Sequence, residues 1–169
     1  MKQLVWRRIA AYLVDYVILF TTLILLQLGI VAVGQGFPYQ LLKQGWQIEL
    51  WVLTSISLPT WLYFTLTEQS ARQATLGKRL LDLQVKTVNE KRLTFWQALL
   101  RTLIKLLPWE LTHLTLLTPT PLWWDSDPSL RPGLVIVYVL LGLYLATMLL
   151  NPRRQSIHDL IVNSMVVLK

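Results

Sequence analysis

The residues Ile9–Val33 read IAAYLVDYVILFTTLILLQLGIVAV, with Asp15 as their one charge. Crossing a bilayer as a helix takes about 20 mostly apolar residues, so this stretch marks a membrane protein before anything else is read. The uncharged run continues to Leu42, but Gly34-Gln35-Gly36-Phe37-Pro38 breaks a helix after Val33. Working outward, Leu50–Thr67 is a second uncharged run, with Pro59 as a kink. Its Trp51, Trp61 and Tyr63 read as interfacial aromatics, although Trp61 lies deeper than a belt residue should. A third run, Gly133–Leu150, opens after Pro132 and closes at Asn151-Pro152. Residues 98–117 have span length and helical periodicity but carry Arg101, Lys105, Pro108, Glu110 and His113. They either span as a polar helix or lie in the interface with their charges facing water.

The distribution of basic residues arbitrates, because short cytoplasmic loops collect Lys and Arg. Lys2, Arg7 and Arg8 precede the first run, and Lys43 stands alone before the second. Arg72, Lys78, Arg79, Lys86, Lys91 and Arg92 fill residues 68–97. Arg131 stands with Asp125 and Asp127 in the next connection, and Arg153, Arg154 and Lys169 mark the tail. With 98–117 spanning, these segments alternate inside and outside without exception. The expected fold is an all-α membrane bundle of about four spans, 9–33, 50–67, 98–117 and 133–150, forming a single domain over 1–169 with both termini cytoplasmic. The first run is too long for a signal h-region and lacks a small-x-small cleavage site, so it reads as a retained anchor.

Composition agrees with this reading. Of 169 residues 54% are hydrophobic and 15% charged, against about 25% charged in soluble domains, which excludes disorder. The absence of cysteine excludes a disulfide framework, a Cys-ligated zinc site and a thiol nucleophile. Sixteen Lys/Arg against nine Asp/Glu give +7, a balance that elsewhere points to nucleic acid. Here orientation accounts for it, so the expected partner is the lipid bilayer, with unspecific attraction to anionic headgroups, and not nucleic acid.

The polar remainder comprises the insertion 68–97 and the tail 151–169. Ala74–Leu81 reads as a short amphipathic helix with Leu76, Leu80 and Leu81 on one face and Lys78, Arg79 and Asp82 off it. Leu83–Val88 alternates with period two, Asn89-Glu90-Lys91 is a turn, and Arg92-Leu93-Thr94 returns as a second strand. Thr94 with Gln97, and Ser156 with Asp159, are capping-box patterns. Because two strands alone are marginal in water, a final strand over Val162–Leu168 should join the hairpin and complete a small cytoplasmic cap.

These elements together resemble the RDD family of small bacterial membrane proteins, named for one arginine and two aspartates. Arg8-Ile9-Ala10-Ala11-Tyr12-Leu13-Val14-Asp15 is similar to the family's opening arginine and first aspartate. Thr75-Leu76-Gly77-Lys78-Arg79-Leu80-Leu81, then Leu93-Thr94-Phe95 and Arg101, follow in the family's order. Gln155-Ser156-Ile157-His158-Asp159 and Val166-Val167 complete it, making Asp159 the second aspartate and extending the resemblance from residue 8 to 167. Two departures are a turn at Asn89-Glu90-Lys91 without glycine, and Asn163-Ser164 where glycine then threonine is expected. The resemblance implies a multi-pass protein of the bacterial inner membrane. A few relatives are described as cation/proton antiporters, so it also permits transport of monovalent cations and protons.

The candidate site residues are Arg8, Asp15, Arg101, Glu110, His113, His158 and Asp159. Asp15 lies about two turns inside the first span, so it is either an ion-pathway carboxylate or the partner of Arg8 or Arg101 in a structural ion pair. Glu110 and His113 are spaced i, i+3; they read as a polar contact in the bundle or a proton relay, and no second Glu-x-x-His completes a metal site. Asp159, beside His158, caps a helix, pairs with Arg8 or binds a cation. Gly77-Lys78 lacks the glycine and hydroxyl spacing of a phosphate loop, and no nucleophile elbow occurs, so no enzyme, cofactor or metal is expected. Two functions remain open. One is cation/proton exchange through Asp15, Glu110 and Asp159, in a homo-oligomer because the chain is small and has no inverted repeat. The other is an accessory or scaffold membrane protein whose buried charges fix helix packing.

Overall fold

The computed structural model of the chain describes residues 2–34, 36, 42–126 and 130–169. Gln35, Phe37 and Pro38 of the helix-breaking run, and Asp127, lie outside the described residues. The first apolar run falls within α1 (Lys2–Val33) and the last within α6 (Pro132–Leu150). Both are long and apolar enough to cross a bilayer, each with mean hydropathy 2.4. Their outward faces leave Leu13, Val17, Val139 and Leu145 exposed, as a lipid surround requires.

The second run is helical in three consecutive pieces: α2 (Gly45–Val52), a π-helical turn (Leu53–Ser57) and α3 (Leu58–Gln69). Pro59 sits in the first turn of α3. Lacking an N–H, it cannot close an ordinary helical bond to the preceding turn, and the π turn absorbs the mismatch. The fourth run becomes α5 (Phe95–Leu117), opened by the Thr94–Gln97 capping box: the Thr94 N–H donates to Gln97 Oε1 at 3.0 Å and the Gln97 N–H to Thr94 Oγ1 at 3.3 Å. It continues through Pro108 and packs against α3 and α6. Its 23 residues rise about 34 Å, a bilayer's thickness, while its charges set it apart from α1 and α6. Arg131 ties the end of α5 to the start of α6, donating to the carbonyls of Thr115, Thr118 and Thr120 and to Asp125.

The cap departs from the sequence expectation in two places. Strand β1 (Leu83–Thr87) pairs antiparallel with β2 (Ser164–Leu168), in the register Leu83↔Leu168, Val85↔Val166 and Thr87↔Ser164. The C-terminal strand thus joins the insertion as expected, but the hairpin does not form, and Arg92-Leu93-Thr94 is no strand. Leu93 is 3% exposed in the apolar cluster and Thr94 is the N-cap of α5, so the chain turns inward after the Thr87–Lys91 turn. That cluster of Ala11, Leu83, Val85, Leu93, Ala98 and Val166 lies where the cap meets α1 and α5.

The short helix α4 (Leu76–Leu80) also presents the opposite face from the one its leucines imply. Gly77 and Lys78 are buried, whereas Leu76 and Leu80 are exposed. Lys78 turns inward because its ammonium meets Glu68, and Gly77 because nothing larger fits against α1: a Cβ there would stand 2.1 Å from the Ala11 carbonyl oxygen. The two family departures both fall on left-handed backbone, Glu90 at φ +59° and Asn163 at φ +52°, which explains the glycine expected there.

Candidate functional site

The last helix, α7 (Ile157–Ile161), carries Asp159 into a buried charge network joining α1, α3, α4, α5 and the cap. Its centre is Arg101, 1% exposed. The guanidinium donates through Nε and Nη2 to Asp159 Oδ1 at 3.0 and 2.6 Å, and through Nη1 to Glu68 Oε2. Glu68 Oε1 accepts from Lys78 at 2.5 Å and Lys105 at 3.3 Å, and the Lys105 ammonium also lies 3.3 Å from the Phe64 ring centre. Asp159 Oδ2 accepts from Arg8 at 2.6 Å and from the Ser156 N–H at 3.2 Å. Ser164, standing where the family's threonine is expected, donates its hydroxyl to Asp159 Oδ1 at 3.3 Å.

Asp15 is held differently from either pairing the sequence allows. Among the described residues it takes neither Arg8 nor Arg101. Tyr63 Oη (2.7 Å) and the Gly77 N–H (2.8 Å) donate to Oδ1, and Thr75 Oγ1 (2.5 Å) donates to Oδ2. Neutral donors on α3 and at the start of α4 satisfy a carboxylate that is 1% exposed, so Arg8 is left to Asp159, 151 residues away in the chain.

Glu110 and His113 belong elsewhere. Glu110 accepts from Ser57 Oγ at 2.8 Å and Trp61 Nε1 at 3.0 Å, which accounts for the depth of Trp61. His113 stacks edge-on against Trp109 and borders a separate cavity of about 270 Å³ that also touches Gln27 and Thr60. Among the described residues no three His, Asp or Glu side chains converge as a metal site would need. The structure thus brings Arg8, Arg101, His158 and Asp159 together, with Asp15 beside them, and leaves Glu110 and His113 apart. Glu68, Lys78 and Lys105 were missed by sequence reasoning, although Glu68 closing an uncharged run was a usable signal.

Outside the spans, burial pushes Asp159 upward, but the guanidiniums of Arg101 and Arg8 override it and hold the carboxyl well below the usual range. Burial pushes His158 from the ordinary 6.5 down to about 3, with Arg101 and Arg8 adding to the effect against Asp159. The folded protein therefore keeps this imidazole neutral where the unfolded chain protonates it. Stability is lost as pH falls from about 6.5 towards 3. The melting temperature in detergent should fall across that window, and His158→Gln should flatten the fall between pH 6.5 and 4.5. An unchanged slope in the variant would locate the titration elsewhere.

A cavity of about 320 Å³ lies beside this network, touched by Arg8, Asp15, Lys78, Arg101, Lys105 and His158, with apolar walls from α1 and α6. The chain is thus mainly helical, with two helices long and apolar enough to cross a bilayer and a cap fastened to them through buried charge. The chain belongs to the RDD family, whose model matches residues 3–163. No curated protein and no solved structure matches it.

Proposed function

We propose that this RDD-family chain is a non-transporting, non-enzymatic accessory protein of the bacterial inner membrane. It crosses the membrane four times with both termini cytoplasmic, and its buried charges fasten the cap to the bundle. The observation that supports this is the saturation of the network: both oxygens of Asp15, Glu68 and Asp159 each have a partner, and all three residues are at most 1% exposed. An exchanger's carboxylates must release and rebind their ion in contact with water. Among the charged residues that line the adjoining cavity, Arg8, Lys78, Arg101 and Lys105 stand against Asp15 alone, a balance that repels a cation. Among the described residues Glu110 shares no partner with Asp15 or Asp159, so it stands apart from the other two carboxylates an exchange path would use.

One observation favours monovalent cation/proton exchange as a second reading: Asp15 lines the cavity, so an ion entering it would meet a carboxylate. Cation-driven proton flux in proteoliposomes separates the two readings. Well-folded wild type should give none under either gradient, and Asp15→Asn and Asp159→Asn should lower the yield of folded protein with no activity to lose. Flux that requires both aspartates would overturn the proposal.

A further inference from the structure

The 320 Å³ cavity beside the charge network is large enough for a small polar headgroup, and its lining has two characters. One side is cationic. Within the network four cations, Arg8, Lys78, Arg101 and Lys105, stand against three carboxylates, Asp15, Glu68 and Asp159, so one positive charge is left over. The excess is concentrated on Lys105. Its contact with Glu68, at 3.3 Å, is the longest that a lysine or arginine makes in the network, and it shares that oxygen with Lys78 at 2.5 Å. An ammonium has three donors, and an unneutralised positive charge at membrane depth is costly. His158, only 8% exposed, also lines the cavity and carries a buried Nδ1 with no hydrogen-bond partner among the described residues.

The other side is apolar and leads outward. Leu13 on α1, and Leu141 and Leu145 on α6, line the cavity while remaining 57%, 49% and 47% exposed on the outer face of the helices. A ligand seated here has an anionic end against Lys105 and Arg8 and a hydrocarbon end against these leucines. We infer that the cavity is a specific site for an anionic phospholipid, its phosphate held by Lys105 and Arg8 and its acyl chain leaving between α1 and α6. Basic pockets between membrane helices on the cytoplasmic side recognise such headgroups through the same combination of charge and apolar wall. The site does not depend on whether the chain transports anything.

The test is native mass spectrometry of the purified full chain in detergent with phosphatidylglycerol, phosphatidylcholine or inorganic phosphate, paired with thermal melts. One phosphatidylglycerol per chain should be retained and should raise the melting temperature, with phosphatidylcholine retained about tenfold less. Losing one charge-assisted contact in Lys105→Gln should weaken phosphatidylglycerol retention by roughly tenfold or more. Leu145→Trp, which fills the apolar arm without touching the network, should weaken it in a protein that melts as wild type does. This second variant decides the matter if Lys105→Gln fails to fold. Equal retention of the two lipids, equal protection by inorganic phosphate at the same concentration, or wild-type retention by Leu145→Trp would each overturn the site.

Discussion

Arg101→Met lowers the stability of the detergent-solubilised protein by about 3–5 kcal/mol, the cost of stripping one partner from buried ion pairs. The magnitude follows from what is left behind. Arg101 bonds Glu68 on α3 and Asp159 on α7 at once, and both carboxylates are 0% exposed. Without the guanidinium, Glu68 keeps Lys78 and Lys105, but among the described residues Asp159 keeps only Arg8 as a charged partner, His158 being held neutral by burial. The damage should therefore be lopsided. Limited proteolysis should cut first in the C-terminal tail, releasing α7 and β2, while the α3–α5 contact survives longer. Arg101→Lys keeps one charge but cannot fork between two elements, so it should recover less than half of the loss. A melting temperature within a degree or two of wild type in Arg101→Met would mean that apolar packing alone holds the cap.

The spans were legible because lipid imposes a simple requirement, a run of apolar residues, which Ile9–Val33 and Gly133–Leu150 meet with little ambiguity. The capping box at Thr94 was legible for a similar reason, since its partners lie three residues apart. The network was only half legible. Arg8, Arg101 and Asp159 stand out as charges near apolar runs, but their pairing spans 58 and 151 residues, which no local pattern encodes. Asp15 misled in a different way. A buried carboxylate calls for a countercharge, yet a tyrosine, a threonine and a backbone N–H satisfy it, and neutral donors leave no mark in a charge count. Lys78 and Leu80 reversed their expected faces because Gly77 admits a close approach to α1 that outweighs the amphipathic pattern of a five-residue helix.

That close approach makes Gly77→Ala the more diagnostic substitution, because propensity and packing predict opposite signs. Replacing a helical glycine by alanine ordinarily stabilises by up to about 1 kcal/mol. At Gly77 the new Cβ would stand 2.1 Å from the Ala11 carbonyl oxygen and 2.9 Å from Asp15 Cγ. The first of these is backbone and cannot rotate away, so α4 must retreat from α1 and stretch the Gly77 N–H bond to Asp15. Overpacking of about 1–3 kcal/mol and a weakened bond to a buried carboxylate of about 1.5–3 kcal/mol together give a loss near 3 kcal/mol after the propensity gain. Gly29→Ala and Gly142→Ala supply the contrast. Both lie within membrane helices where an added Cβ meets nothing within 4 Å, so each should be neutral or slightly stabilising. Ala11→Gly should not rescue Gly77→Ala, because it removes a methyl group and leaves the offending oxygen in place. Rescue by Ala11→Gly, or a Gly77→Ala protein as stable as the two controls, would show that α4 sits further from α1 and that Asp15 is held by something other than the start of that helix.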